Sequence, residues 1–206
     1  MQNIKWLFFD LGSTLIDETE CIKKRCDVIC KSNNIDREKF ISKVTEYAKI
    51  DSYAVKAAAS YYGADIPRWF SELERLYPNV PNVLETLSEK YKLGIIANQV
   101  AGTKERIDNW GIGKYFDVVV ASHEAGCAKP DLKIFNMALK EADCRPDEAV
   151  MIGDRIDNDI LPAKKLGMKT VWVRQGFAKF QNVKNINEKP DYVINNISEI
   201  TKIFKT

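Results

Sequence analysis

The stretch FFDLGSTL, Phe8 to Leu15, stops an apolar run on the carboxylate of Asp10 and follows it at once with Leu, Gly, Ser and Thr. Three later stretches carry groups of related chemistry. Asn98 follows LGIIA, Lys129 lies in AKPD, and Asp154 and Asp159 lie in GDRIDND. A carboxylate can attack an electrophile or bind a hard cation. An ammonium group can neutralise negative charge that develops during a reaction. Each has a plainer reading as well: an Asp at a strand end is often a turn or helix-cap residue, and Lys129 alone is an ordinary surface lysine. His123 is the only histidine, which argues against a histidine-based triad or a zinc cluster.

Position gives these groups weight. The runs Leu93–Ala97, Phe116–Ala121, Ala149–Ile152 and Thr170–Val173 are apolar throughout and read as buried strands, with a weaker one at 192–194. Between them, Val80, Val83, Leu84, Leu87 and Tyr91 recur at helical spacing. Helices are also predicted over 132–139, over 158–166 and at the C-terminus. Apolar strands alternating with helices predict an α/β fold, a doubly wound parallel sheet covered on both faces. Its ligand crevice lies at the carboxyl ends of the strands. Asp10, Asn98 and Asp154 each fall at or just past such an end.

Residues 15–79 differ in character. Ile22, Cys26 and Ile29 keep helical spacing, as do Phe40, Val44 and Tyr47. Ile66, Trp69, Phe70, Leu73 and Leu76 do the same, with Pro67 placed as in a first helical turn. No strand signal intervenes, so a small all-helical unit inserted after the first strand is predicted. The α/β core is then 1–14 and 80–206, and the polar stretch 179–189 reads as a surface loop.

Bulk properties exclude several classes. The 206 residues are 45% hydrophobic and 29% charged, as in ordinary globular proteins. A net charge of +2 gives no electrostatic basis for a nucleic-acid or anionic-membrane partner. The apolar patch Trp6–Phe9 is too short for a signal-peptide core, and no segment reaches membrane-spanning length. Five cysteines, odd in number and without a C-x-x-C pair, read as free thiols in a reducing, cytoplasmic compartment.

Taken together, DLGST, ANQ, AKPD with its K-P-D-x-x-I-F run, and GDRIDND resemble the haloacid dehalogenase (HAD) superfamily of hydrolases, over nearly the whole chain. The resemblance implies a Rossmann-like core, a C1-type helical cap at 15–79, and Mg²⁺-dependent phosphatase chemistry on a small phosphorylated metabolite. Asp10 is then the nucleophile that forms an aspartyl-phosphate. Asp10, Asp154 and the carbonyl of Gly12 are the Mg²⁺ ligands. Lys129 neutralises phosphate charge and steadies Asp10, and Asp159 orients water or holds Lys129. Ser13, Asn98 and Lys129 bind the phosphate, the first two through main-chain N–H groups.

The sequence also departs from the family pattern. A second Asp usually follows the nucleophile by two residues and acts as general acid and base; here that place is Gly12. The Ser or Thr of the second motif is Ala97. General acid–base catalysis contributes about 10²–10⁴-fold, so turnover restricted to good leaving groups, such as aryl or acyl phosphates, is expected. Two alternatives follow: a phosphate- and Mg²⁺-binding regulatory protein with impaired catalysis, and a metal-independent 2-haloacid dehalogenase. The retained Asp154 and Asp159 count against the second.

Overall fold

The computed structural model describes residues 3–50, 53–183, 186 and 189–204. The chain opens with β1 (Trp6–Phe9) and β2 (Ile16–Asp17), followed by α1 (Thr19–Asn33), α2 (Arg37–Ala48) and α3 (Ala54–Tyr61). A short β3 (Arg75–Leu76) leads into α4 (Val80–Ser88), β4 (Lys92–Ala97), α5 (Thr103–Asn109), β5 (Val118–Ala121), α6 (Ser122–Ala125) and α7 (Leu132–Glu141). The remainder is β6 (Ala149–Gly153), α8 (Leu161–Leu166), β7 (Lys169–Val173), β8 (Tyr192–Ile194) and α9 (Ile200–Ile203).

Six strands form one sheet in the order β5-β4-β1-β6-β7-β8. Every pairing in it is parallel. The doubly wound α/β fold expected from the sequence is therefore present. Because side chains alternate across a strand, β1 feeds two cores. Leu7 and Phe9 pack with Leu93, Ile95, Val150 and Ile152 on one face. Trp6 and Phe8 pack with Met151, Ile134 and Phe135 on the other. Each fully buried large apolar side chain stabilises the fold by about 1.5–3 kcal/mol, so β1 is fixed from both sides. The chain winds in opposite directions on either side of β1, which makes its carboxyl end the switch point where ligand crevices form.

The insertion is less regular than its apolar spacing predicts. Helices α1, α2 and α3 gather around a separate cluster that includes Cys26, Ile29, Phe40, Val44 and Ala58. The segment 64–70 is not helical, however, and the predicted helix from Ile66 to Leu76 is absent. In its place a short helical turn, Ser71–Leu73, precedes β3, which pairs antiparallel with β2. Side-chain bonds outcompete the helix here. The Arg25 guanidinium donates to the Pro67 carbonyl at 2.9 and 3.1 Å, and the Trp69 indole N–H donates to Glu74 at 2.6 Å. The ribbon of β2 and β3 joins the two segments that lead into and out of the helices. Ala-rich α3 is a helix that the apolar spacing does not single out.

Two further differences lie in the core. The predicted helix 158–166 is a regular helix only from Leu161; residues 156–160 form a wide turn, with the Ile160 N–H bonded to the Arg155 carbonyl at 3.3 Å. Of the predicted loop 179–189, residues 184, 185, 187 and 188 lie outside the described residues. Its start is partly ordered inward: Gln181 is buried and accepts from the Ile156 N–H at 2.8 Å. Among the described residues no helix is long and apolar enough to cross a membrane.

Candidate active site

The carboxyl ends of β1, β4 and β6 meet at Lys129. Its side chain is buried, and its ammonium donates to Asp10 Oδ1 at 2.6 Å, Asp159 Oδ1 at 2.7 Å and the Ile96 carbonyl at 2.8 Å. An ammonium has three N–H donors, and all three are used. Burial works against the charge, yet Asp10 and Asp159 hold the Lys129 pKa above its ordinary value. Asn98 fixes the lysine's backbone in both directions: its carboxamide donates to the Lys129 carbonyl at 2.9 Å and accepts from the Lys129 N–H at 2.7 Å.

The acidic side of the site is denser. One oxygen each from Asp10, Asp154 and Asp159 lies within 4.8 Å of the others, and all three residues are buried. Burial raises the Asp159 pKa to about 6 against the pull of Lys129. Burial, then Asp10 and Asp159, raises Asp154 well above the usual carboxylate range. Three carboxyl groups around one ammonium leave an excess of negative charge in a desolvated place, and oxygen donors of this type suit a hard divalent cation. The donor set fits such an ion.

Local structure explains each placement. The Asp10 N–H donates to the Ile152 carbonyl at 2.9 Å, which continues β1 past its last paired residue. The loop then tightens, with the N–H groups of Thr14, Leu15 and Ile16 all directed at the Leu11 carbonyl. Ser13 takes the left-handed conformation, φ 55°. The Trp172 indole holds the Asp154 carbonyl at 2.6 Å. The wide turn at 156–160 directs Asp159 back over the strand end, where its Oδ2 accepts from the Arg155 N–H at 3.0 Å. Turns of this width occur often at functional sites.

Of the residues selected from the sequence, Asp10, Lys129, Asp154 and Asp159 converge. Asn98 reaches the group through its clasp on Lys129. Ser13 lies beside it with its hydroxyl directed elsewhere, donating to Glu18 Oε2 at 3.0 Å. Gly12 lies in the same loop, and His123 is exposed on α6. Three residues escaped the sequence reading. Thr14 places its hydroxyl 3.5 Å from Asp10 Oδ2. Gln175 donates from Nε2 to the Ser13 and Thr14 carbonyls at 3.1 and 3.3 Å. Glu18 presses on Gly12, and burial raises its pKa to about 7 although the Ser13 hydroxyl opposes the shift. No spacing rule links a residue at position 18 or 175 to position 10; only the fold does.

A doubly wound sheet with a carboxylate, lysine and acidic cluster at its switch point defines a hydrolase-type α/β site. The chain belongs to the haloacid dehalogenase-like hydrolase family, whose model matches residues 7–173, and it is a hydrolase of that family. It is 32% identical to the glyceraldehyde 3-phosphate phosphatase of Methanocaldococcus jannaschii, over 98% of this chain and 97% of that protein. It is 30% identical to the enzyme of the same name from Pyrococcus furiosus, over 100% and 95%. A HAD phosphatase structure from Thermococcus onnurineus superposes with a TM-score of 0.67 at 28% identity, covering 98% of each chain.

Proposed function

We propose that this protein is a Mg²⁺-dependent phosphatase that hydrolyses the phosphate ester of a small metabolite through an aspartyl-phosphate. The observation that carries the reading is Lys129, whose ammonium joins Asp10 and Asp159 inside a buried carboxylate cluster. Asp10 Oδ1 is held by the lysine, so Oδ2, which meets the Thr14 hydroxyl, is the oxygen we assign to attack phosphorus. Lys129 neutralises charge on the transferring group as the ester bond breaks. Water then attacks the phosphorus, and the bond to Asp10 Oδ2 breaks to release phosphate.

Asp10, Asp154 and the Gly12 carbonyl are the residues we assign to Mg²⁺. The ion supplies charge neutralisation between a carboxylate nucleophile and a phosphate dianion. Main-chain N–H groups at Ser13 and Asn98 are assigned to the phosphate oxygens. Residues 15–79 are read as the cap that selects the substrate, over a core of 1–14 and 80–206. The names of the relatives support a small phosphorylated metabolite, triose phosphates among them. The free, buried Cys21, Cys26 and Cys30 support a reducing compartment, the cytoplasm.

The test is hydrolysis of p-nitrophenyl phosphate and glyceraldehyde 3-phosphate by wild type and Asp10→Asn, with Mg²⁺ and with chelator. Turnover that needs both Mg²⁺ and Asp10 is expected. Turnover that survives the Asn substitution or the chelator overturns the reading. Mg²⁺-dependent phosphate binding without turnover would favour a binding protein instead.

A further inference from the structure

Position 12 lacks the carboxyl group that a phosphatase of this type would use for proton transfer, and the structure puts another carboxyl in the same space. A Cβ built on Gly12 would lie 2.7 Å from Glu18 Oε1 and 3.0 Å from both Cδ and Oε2. The Glu18 head group therefore fills the volume where a side chain at position 12 would begin. The Ser13 hydroxyl donates to Oε2 at 3.0 Å, which ties this carboxyl to the nucleophile loop and leaves Oε1 toward Gly12.

The ordinary explanation for an acidic residue at this position is a helix cap, and the structure does not bear it out. Glu18 precedes α1, yet its side chain makes no capping hydrogen bond. Asp17 serves that purpose, accepting from the Thr19 N–H at 2.9 Å. Glu18 also forms no ion pair among the described residues. Its backbone is fixed on both sides: Asp17 is paired to Arg75 in the short ribbon, and the Glu18 carbonyl accepts the first α1 bond from Ile22 at 2.9 Å. A carboxyl group so placed, and used neither to cap nor to pair, stands against Gly12, two residues along the chain from Asp10.

We propose that Glu18 is the general acid and base of this enzyme, a role that rests on the phosphatase reading above. In the first half-reaction Asp10 Oδ2 bonds to phosphorus while the ester P–O bond breaks. The Glu18 carboxyl gives its proton to the leaving oxygen, so the alcohol departs neutral and Glu18 is left as a carboxylate. In the second, a water oxygen bonds to phosphorus and the P–O bond to Asp10 breaks. The Glu18 carboxylate takes a proton from that water and is restored. Gly12 is then the complement of Glu18, the residue that makes room for it. Esters with poor leaving groups, such as alkyl phosphates, come within reach of the enzyme.

The test compares an aryl phosphate with a good leaving group (2,4-dinitrophenyl phosphate) and an alkyl phosphate (glycerol 3-phosphate) in wild type, E18Q and the double variant G12D/E18S. E18Q keeps the shape of the side chain and an acceptor for Ser13. It is expected to lower kcat/KM, which reports the first half-reaction, by about 10²–10⁴-fold for the alkyl ester and by less than about tenfold for the aryl ester, whose leaving group needs little protonation. The second half-reaction is common to both, so kcat for the aryl ester should fall as well, after a burst of dinitrophenol. G12D/E18S returns the carboxyl to position 12 and should restore the alkyl ester. Equal losses of kcat/KM on both esters would show a structural role and overturn the proposal. If E18Q does not fold, failure of G12D/E18S to turn over the alkyl ester while it hydrolyses the aryl one overturns it too. Absence of wild-type turnover on both would overturn the phosphatase reading and this role together.

Discussion

Gly153 and Asp159 share one volume: a Cβ built on Gly153 would lie 2.4 Å from both the Cγ and Oδ2 of Asp159. The last residue of β6 must be bare for the carboxyl group to lie against the strand end and meet Lys129 at 2.7 Å. Gly153→Ala should therefore expel Asp159 and break its bond to the lysine. Overpacking of this kind costs about 1–3 kcal/mol. Urea unfolding should show that loss, and turnover should fall with it. An alanine variant of wild-type stability and rate would mean that Asp159 can move without consequence.

Lys129→Met removes the one ammonium between Asp10 and Asp159 and leaves two buried carboxyl groups without it. Breaking a buried ion pair from one side costs about 3–5 kcal/mol. The loss should be greatest at pH 7.5 and smaller at pH 5, below the raised Asp159 pKa of about 6, where that carboxyl can take up a proton. Arg is not an equivalent, because its planar fork does not suit three acceptors gathered around a compact head group. Denaturant midpoints of the Met and Arg variants at the two pH values check both statements.

The acid groups make a further prediction for metal-free protein. Asp159, raised from 3.8 to about 6, and Glu18, raised from 4.5 to about 7, hold protons in the folded state that the unfolded chain has already released. Their contribution is fully present below the unfolded values and is lost as pH rises through the folded ones. Stability of chelator-treated protein should accordingly fall across that window. The ion assigned to Asp10, Asp154 and the Gly12 carbonyl must displace the proton that burial favours on Asp154, so Mg²⁺ should raise Tm more at pH 7.5 than at pH 5. Thermal scans at the two pH values, with and without Mg²⁺, decide it; an equal shift at both would contradict the placement of the ion among these carboxyl groups.

The parts of the site that sequence made legible are those fixed by strand ends. Asp10, Asn98 and Asp154 each close an apolar run, and in a doubly wound sheet the carboxyl ends of such runs converge. Lys129 and Asp159 needed the family resemblance, since a lysine in a loop and an aspartate in a polar run have no spacing signal of their own. Glu18 and Gln175 needed the fold itself. The first stands just before α1 with no spacing link to Asp10, and the second reaches the Ser13 carbonyl across 162 residues of chain. The false helix at 66–76 has the opposite cause. Its apolar spacing is genuine, but Arg25 bonds the Pro67 carbonyl from 42 residues away and Trp69 bonds Glu74 within the segment, and these side-chain bonds outweigh a weak helical preference.

Gln175 supports the loop after Asp10 from the far side of the chain. Its Nε2 donates to the Ser13 and Thr14 carbonyls, and its Oε1 accepts from the Ile197 N–H at 2.8 Å. One buried carboxamide thus ties the loop after Asp10 to the turn before α9. Ser13 stands in the left-handed region at φ 55°, a conformation that persists only where its surroundings enforce it. Gln175→Ala should strand the Ile197 donor, at about 1–3 kcal/mol, and let Ser13 relax. A shift of the loop by about 1 Å can lower rate by about 10²-fold. The expected result is reduced kcat together with faster hydrogen exchange at Leu15 and Ile16, whose amides bond the Leu11 carbonyl. Loss of stability with normal turnover and normal exchange at those amides would assign Gln175 to the α9 side alone.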